Sequence, residues 1–500
     1  MSAPRNVLAN WAAFGLGVVV NFALTPFIIR QLGADDYGLW VLLASFVGYL
    51  GLLDLGVRSA IMRYVAKFHA TRNHEAASQI ASTGIVVFAG VATVALALTL
   101  IFAGVLVPRF NIPVDRVAEA RIVVILGGLG ICAVFMGAAF GGVLSALQRF
   151  DLSSLLDAGS TLVRASLVVL VLIKTKNLVA LATVVMLVSL LRALGQMAVA
   201  RRCYPELRLK LDHPDAAWAK RIFAFGLFSS IIYVSRTAIF STDALVIGAF
   251  LPTAMIAYFS IAGSLADYAR QLVNGMAVIV SPRASALLAE NRQEALARFA
   301  QSYARFGSLI ILPVCVTFGL RGQSFIELWV GPEYAAPGGR VLVVLTLGLT
   351  FWAGHQVMGL TLIGINRHRG LAWAYLVEGV ANICVSVYLV RGLGIVGVAW
   401  GTTLPSLVTS LLVAPMLLAR HVPIRHRSIY WNTWGRPLVA AGPFALASVV
   451  VEAYMPAQNL VVYFLQIALC LPAFAVASWH VALDPHERKS VMKYLQERLS

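Results

Sequence analysis

Fourteen apolar runs, each about 20 residues long or longer, follow one another along this 500-residue chain. A helix needs about 20 mostly apolar residues to cross a bilayer. Of all residues 60% are hydrophobic and 12% are charged, against roughly 25% charged in an average soluble domain. The sequence therefore predicts an all-α integral membrane protein with about 14 transmembrane helices. The predicted spans are 7–29, 38–62, 80–107, 122–148, 152–173, 178–200, 222–249, 255–282, 306–329, 341–364, 370–390, 393–419, 435–453 and 459–482.

The basic residues predict the orientation of these spans. With the N-terminus in the cytoplasm, 25 of the 39 Lys and Arg residues fall in cytoplasmic segments, eight on the opposite side and six within spans. Cytoplasmic loops of membrane proteins carry such an excess of positive charge. We therefore expect a multi-pass membrane protein with both termini in the cytoplasm. No nucleic-acid-binding motif accompanies the basic loops, which argues against a nucleic-acid partner.

Two short sequence repeats predict a two-lobe architecture. The motif AFGL opens the first span at 13–16 and the seventh span at 224–227. Two six-helix lobes in the same orientation form a parallel repeat, a plan that is common in transporters. The predicted domains are an N-lobe at 1–200 with spans 1–6, a cytoplasmic linker at 201–221, a C-lobe at 222–420 with spans 7–12, two extra C-terminal spans at 421–482 and a cytoplasmic tail helix at 483–500.

Charged residues inside the apolar runs indicate a polar interior. Charges within a span are costly and usually face a protein interior or a water-filled path, so this pattern points to transport. Helical spacing places three Asp and three Arg residues of spans two, seven and eight on shared faces. These sets are Asp54 with Arg58, Asp267 with Arg270, and Arg236 with Asp243. The other intramembrane arginines, Arg164, Arg192 and Arg321, are expected to extend toward a membrane interface.

Two interpretations of the paired arginines stay open at this point. The planar guanidinium can bind the oxygens of a diphosphate bidentately and keeps its charge when buried. Alternatively, each arginine neutralises a neighbouring carboxylate and fixes helix packing. In the first interpretation Arg58, Arg270 and Arg236, with Asp54 and Asp267, line a substrate cavity between the lobes.

The sequence contains no HExxH motif, nucleophile elbow or P-loop, so we expect no enzyme activity and no ATP hydrolysis. None of the five cysteines forms a C-x-x-C pair, so neither a metal site nor a disulfide framework is predicted. We also expect no bound cofactor. An ion gradient is the expected energy source. Asp54, Asp243 and Asp267 are the candidates to bind the coupling H⁺ or Na⁺.

The region from Pro26 to Ala66 resembles the N-terminal signature of the Wzx-like polysaccharide biosynthesis flippases, members of the multidrug/oligosaccharidyl-lipid/polysaccharide exporter superfamily. Further matches follow the ninth span and open the twelfth, and the resemblance covers about residues 7–420. The motifs that carry it are Arg30–Gly33, Tyr37–Trp40, Leu53–Gly56, Ser59–Tyr64, Leu328–Tyr334 and Gly394–Thr403.

The resemblance implies two six-helix lobes that alternate between inward-open and outward-open states. The implied cargo is a polyprenyl-diphosphate-linked oligosaccharide that serves export-polysaccharide assembly (O-antigen, exopolysaccharide or capsule). Related lipid II flippases have cavity arginines on spans one, two and eight. Here Arg58 and Arg270 lie on spans two and eight, whereas span one has only Arg30, at its outer end. Implied partners are membrane lipids, a glycan polymerase and glycosyltransferases, and the implied location is the bacterial inner membrane.

Other functions remain to be tested against this one. A cation-coupled multidrug antiporter of the same superfamily should favour acidic and aromatic cavity residues. The predicted spans instead contain six arginines and five acidic residues, which disfavours this alternative. A membrane-embedded glycan polymerase usually needs a large extramembrane loop with catalytic groups, and the predicted loops are all short. A scaffold that does not transport leaves the intramembrane charges unexplained.

Overall fold

The computed structural model divides the chain into two compact units, Met1–Ala257 and Tyr258–Ser500. Outside the turns the described residues are helical, and no strand occurs among them. Helices satisfy all their backbone hydrogen bonds internally, as a bilayer demands. The structure describes residues 3–209, 215–216, 218–222, 242–485, 487–489, 492 and 496, and for 3–14 it describes the backbone alone.

The first unit consists of long helices joined by short turns. Asparagine side chains begin two of them: Asn73 Oδ1 accepts from the N–H of Ala76, and Asn177 Oδ1 accepts from those of Val179 and Ala180. Such caps satisfy N–H groups that have no partner within the helix. The helices are α1 (Ala3–Leu50), α2 (Val57–Ala70), α3 (His74–Ile101), α4 (Val117–Ala146), α5 (Phe150–Thr175) and α6 (Leu178–Cys203), and residues 242–250 are also helical.

The second unit continues the same plan. Its first helix, α7, begins just before the boundary between the units, and π-helical turns extend several of the later helices. The helices are α7 (Thr253–Ala277), α8 (Val280–Ala289), α9 (Gln293–Trp329), α10 (Pro332–Gly364), α11 (Arg369–Val408), α12 (Ala414–His421), α13 (His426–Tyr430), α14 (Arg436–Tyr454) and α15 (Leu460–Ala477).

Eleven helical stretches in the described parts of the chain are long and apolar enough to cross a membrane. Two of them, Gly15–Ala70 and Arg369–His421, are 56 and 53 residues long, and each covers two predicted spans. Glycines with positive φ break both, Gly33 at 79° and Gly394 at 58°. The other nine match one predicted span each. The all-α membrane fold is therefore confirmed.

Two sequence predictions about domains are not settled by these helices. The predicted seventh span, 222–249, and the second AFGL motif lie largely or wholly outside the described residues. The lobe boundaries at 200 and 222 therefore stay a prediction.

Small residues set the packing of the first unit. Lipid tails are as apolar as leucine, so helices in a bilayer associate through close contact rather than through the hydrophobic effect. On α4, a β-carbon at Gly142 would lie 3.1 Å from the carbonyl oxygen of Arg58, and one at Gly137 would lie 2.9 Å from Cα of Ala193. The glycines of α4 thus bring α2 and α6 close to its backbone, next to the predicted site.

Candidate functional site

Asp54 and Arg58 do not lie on one continuous helix, and here the sequence prediction is wrong. Asp54 ends a 3₁₀ turn, Gly51–Asp54, and Leu55 and Gly56 follow in the left-handed conformation with φ of 46° and 72°. Left-handed residues end a helix. The Asp54 carboxylate instead accepts a hydrogen bond from the backbone N–H of Arg58 at 3.4 Å, at the start of α2. The two side chains form no ion pair in the described structure.

The guanidinium of Arg58 extends from an exposed position on α2 toward α4 and α6. A β-carbon at Gly141 would lie 3.6 Å from Arg58 Nη2 and 3.3 Å from Nε2 of the buried Gln196. No carboxylate holds this guanidinium among the described residues. Its hydrogen-bonding fork is therefore available to an anionic group, which an arginine recognises bidentately.

The second predicted pair, Asp267 with Arg270, forms as predicted. Both lie on α7, three residues apart, and Arg270 Nη1 donates to Asp267 Oδ1. The Arg270 side chain is 14% exposed and that of Asp267 is 57% exposed. A carboxylate so exposed pairs only weakly with its partner because water screens the charge. An anionic ligand can therefore compete with Asp267 for Arg270.

The third predicted set is described in part. Asp243 lies buried in the helical segment 242–250, next to Thr242, whose hydroxyl is hydrogen-bonded to that of Tyr49. Arg236 lies outside the described residues. Of the three ion-coupling candidates, Asp243 is thus the one enclosed by protein, whereas Asp54 is half-buried and Asp267 is exposed.

Arg164 and Arg192 were expected to extend toward a membrane interface, but both line a cavity of about 300 Å³ between α4, α5 and α6. Arg192 Nη2 lies 2.6 Å from Asp157 Oδ1, and Arg164 Nη2 donates to Asn21 Oδ1 at 3.1 Å. The hydroxyls of Ser160, Thr161 and Ser189 also line this cavity. Sequence reasoning missed it, although Asp157, Ser160, Thr161 and Arg164 have the i, i+3, i+4, i+7 spacing of one helix face.

Arg321 does not reach an interface either, because it is buried in a network that joins α9, α14 and α15. Its Nε donates to Glu452 Oε2 at 2.5 Å, and its Nη2 donates to Gln466 Oε1 at 2.5 Å. The ring of Tyr463 lies 4.6 Å from the guanidinium carbon. Sequence reasoning did not single out Glu452, although an acidic residue near the end of an apolar run was a usable signal. The network holds the last two spans against the ninth.

A second buried arginine of α9 fixes the start of the C-terminal tail. Arg305 Nη2 donates to Glu487 Oε1 at 2.5 Å and to Asp484 Oδ2 at 3.0 Å, and Arg436 donates to Asp484 Oδ1 at 2.5 Å. Glu487 also accepts from the N–H of Asp484 at 2.9 Å, as in a capping box. Burial favours a higher pKa for Asp484, but the hydrogen bond from Arg436 and the charge of Arg305 outweigh it and hold that pKa below its usual value.

The described residues contain no group of three or more His, Cys, Asp or Glu side chains that could hold a metal ion. The polar groups of the described spans include arginines, hydroxyls, amides and single carboxylates.

The sequence of this chain is similar to those of several known membrane proteins. Residues 5–288, more than half of the chain, match the model of a family described as polysaccharide biosynthesis protein. The uncharacterized membrane protein EpsK of Bacillus subtilis is 22% identical over 439 residues, which cover 84% of each chain. A putative O-antigen transporter of Shigella flexneri is 19% identical over 413 residues, 83% of this chain and 97% of the relative.

Solved structures show the same fold. The lipid II flippase MurJ, in an inward closed conformation, aligns with a TM-score of 0.72 at 13% identity, over 95% of this chain and 97% of that one. An inward-facing multidrug resistance MATE transporter aligns with a TM-score of 0.67 at 16% identity, over 81% of this chain and 95% of that one. The resemblance found in the motifs is confirmed. This chain is a multi-pass membrane protein and belongs to the polysaccharide biosynthesis protein family.

Proposed function

We propose that this chain is a flippase that moves a polyprenyl-diphosphate-linked oligosaccharide across the cytoplasmic membrane by alternating access. The observation that carries the proposal is the family match over residues 5–288. Relatives named as a putative O-antigen transporter and as a probable glycan biosynthesis flippase support a lipid-linked glycan as the cargo. Delivery of the glycan for export-polysaccharide assembly is part of the same proposal.

Arg58 and Arg270 bind the diphosphate in this proposal. The exposed position of Arg58 and the exposed carboxylate partner of Arg270 support the role, because water screens an exposed carboxylate and an anionic ligand can compete with it. Asp267 orients Arg270 while no substrate is bound. Asp54 acts differently from our prediction: it holds the first turn of α2, which carries Arg58, rather than the Arg58 side chain. Arg236 stays a candidate for the same role.

The proposal includes coupling to a proton or Na⁺ gradient. Moving one charge across 100 mV is worth about 2.3 kcal/mol, so a few ions are enough to drive transport in one direction. Asp54, Asp243 and Asp267 stay the candidates, and burial favours Asp243, since a desolvated carboxylate gains most from binding a cation. Release of Asp267 from Arg270 by the diphosphate would free a second carboxylate for a cation.

The proposal also covers the location, the topology and the partners of the chain. We place the chain in the bacterial inner membrane with both termini in the cytoplasm, as a transporter without enzyme activity. A glycan polymerase and glycosyltransferases are the proposed partners, because they consume and supply the cargo. A cation-coupled multidrug antiporter is the main rival, and uptake of an organic cation by vesicles that contain the purified chain would favour it.

The test is flipping of a fluorescent polyprenyl-diphosphate oligosaccharide in proteoliposomes, with and without imposed gradients. We expect wild-type transport, loss of at least tenfold in Arg58→Ala and Arg270→Ala, and retention in Arg63→Ala, a matched control on α2. Protein abundance should stay near normal in all three variants. Full activity in both site variants would overturn the arginine assignment, and transport unchanged after collapse of all gradients would overturn the coupling.

A further inference from the structure

A basic pocket lies where the thirteenth predicted span begins. Arg425 and Arg427, at the start of α13, line it together with Ser428, Trp431 and Gly435, and its volume is about 700 Å³. The helical stretch His426–Tyr454 is long and apolar enough to cross a membrane, so the pocket lies at one end of a span. In the sequence these arginines stand out only as part of the positive charge predicted for the cytoplasmic side.

No carboxylate of the described residues is paired with the two arginines of this pocket. No Asp or Glu occurs in the sequence between Glu378 and Glu452. Arg425 and Arg427 are both exposed, and neither forms an ion pair with any residue that the structure describes. Arg436, which directly follows the pocket residue Gly435, is already paired with Asp484. Two guanidinium groups therefore stay available to an anion.

Trp431 gives the pocket an apolar wall. Its ring is 53% exposed, and it fills the space beside Gly435, where a β-carbon would lie only 2.4 Å from ring atom Cε3. A tryptophan within two turns of arginines at the end of a span is typical of the bilayer interface, where its ring lies at the level of the lipid headgroups. The pocket thus offers apolar contact beside positive charge.

Ser428 is prepared to donate a hydrogen bond in the same place. Its Oγ accepts from Gln301 Nε2 at 2.9 Å and from Asn432 Nδ2 at 2.9 Å. A serine hydroxyl has two acceptor positions and one proton. Both acceptor positions are in use, and the described residues supply no acceptor for the proton. A bound anionic oxygen would complete the hydrogen bonding of Ser428.

We propose that this pocket binds the phosphate headgroup of an anionic membrane lipid of the phosphatidylglycerol class. The two arginines and the Ser428 hydroxyl contact the phosphate oxygens, and the glycerol backbone and acyl chains lie along Trp431. Basic pockets at the cytoplasmic ends of spans have the chemistry that anionic lipid headgroups require. The bound lipid would hold the start of the thirteenth span at the cytoplasmic leaflet, whatever the chain transports.

The experiment uses the full chain in phosphatidylcholine vesicles that contain a minor fraction of phosphatidylglycerol. One set carries brominated acyl chains on the phosphatidylglycerol and the other on an equal fraction of the phosphatidylcholine, because bromine quenches tryptophan that it touches. The chain has 10 Trp residues, so the Trp431 signal is the difference between wild type and Trp431→Phe. We expect anionic lipid to be enriched at Trp431 about 25-fold, since each of the two arginines near the surface contributes roughly a fivefold preference.

The variants decide whether this pocket causes the enrichment. Arg425→Gln/Arg427→Gln should abolish it and Arg425→Lys/Arg427→Lys should keep most of it. Arg367→Gln/Arg369→Gln, an exposed pair with the same spacing at the start of α11, should leave it unchanged. Equal enrichment in the first variant, or equal loss in the last, would overturn the proposal. The proposal would also be overturned if brominated phosphatidylglycerol did not change the quenching of Trp431 and added polyprenyl diphosphate reduced it. That result would assign the pocket to the cargo.

Discussion

Arg321 of the second unit and Arg58 of the first are both arginines within apolar spans, yet their surroundings differ completely. Arg321 is 1% exposed, and its donors are directed to Glu452 and Gln466. Arg58 is exposed, and its guanidinium approaches the same face of α4 as the neutral Gln196, next to Gly141. One arginine is enclosed by fixed partners, and the other can still acquire one.

The difference separates two uses of charge in a membrane protein. A guanidinium removed from water and lipid persists only when partners compensate it, and such a set fixes the helices that carry it. A guanidinium at an exposed surface needs no fixed partner, so it can bind an anion in one state and release it in the next. Transport requires the second kind. In our proposal Arg58 is of the second kind, whereas the partners of Arg321 make it one of the first.

The largest effect is expected at Arg321. Arg321→Gln leaves Glu452, which is 25% exposed, without its cationic partner. Removal of one partner from a buried ion pair typically costs about 3–5 kcal/mol. We therefore expect a large drop in melting temperature in detergent and low abundance in cells. Arg321→Met/Glu452→Met, which removes both charges, should recover most of the stability.

Arg58→Gln is the matched test for the other member of the comparison. Exposed substitutions usually change stability by about 0.5 kcal/mol or less, so its melting temperature should equal that of wild type while flipping is lost. If Arg58→Gln melts as early as Arg321→Gln, both arginines fix helix packing and the contrast between them is wrong.

A second, smaller effect is expected on the α4 surface beside Arg58. In Gly137→Ala the new carbon meets Cα of Ala193 at 2.9 Å, so α4 and α6 must move apart. Overpacking costs about 1–3 kcal/mol, and the better helix propensity of Ala returns roughly 1 kcal/mol. We expect net destabilisation of about 1 kcal/mol, measured by thermal unfolding.

Gly141→Ala, one helical turn further on, should have the opposite sign. Its nearest contact is the mobile end of Gln196 at 3.3 Å, followed by Arg58 Nη2 at 3.6 Å, and these side chains can shift. The gain in helix propensity should therefore dominate. Equal destabilisation by both substitutions would mean that the surroundings of Arg58 are as rigid as the α4–α6 contact.

Local sequence patterns predicted the spans and one ion pair of this molecule, because a bilayer requires helices of a set length and apolar composition. Apolar runs identify spans without knowledge of tertiary contacts, and the Asp267–Arg270 pair follows from helical spacing alone. The same spacing failed for Asp54 and Arg58, because Leu55 and Gly56 adopt left-handed conformations that end the helix between them. Leu53–Gly56 belongs to a family motif, and Gly56 was the residue that could have indicated the break.

Contacts between distant segments could not be predicted in this way. Arg321 and Glu452 are 131 positions apart, and Arg305 and Asp484 are 179 apart. Only the packing of α9 against later helices brings them together. The sequence therefore assigned Arg321 to an interface and missed the polar cavity of Arg164 and Arg192, whose walls come from three helices.

The smallest effect is expected at Asp484, whose pair with Arg305 and Arg436 is half exposed, unlike that of Arg321. Burial favours a higher pKa for this carboxyl, but Arg436 and Arg305 hold it below the ordinary value of 3.8. The folded state thus binds the Asp484 proton more weakly than a detached tail does. The ion pair therefore stabilises the fold at neutral pH and is lost as pH falls below about 4.

Asp484→Asn should lower the melting temperature slightly at neutral pH, by the equivalent of about 1 kcal/mol or less, because solvent screens the pair and Glu487 still holds Arg305. The difference between the two proteins should stay constant from about pH 8 to pH 5 and vanish as Asp484 itself becomes protonated. Glu290→Gln, which breaks an exposed pair with Arg292, is the control and should show no measurable difference at any pH. A difference for Asp484→Asn that disappears already near pH 6 would contradict a lowered pKa and would mean that another group holds the tail.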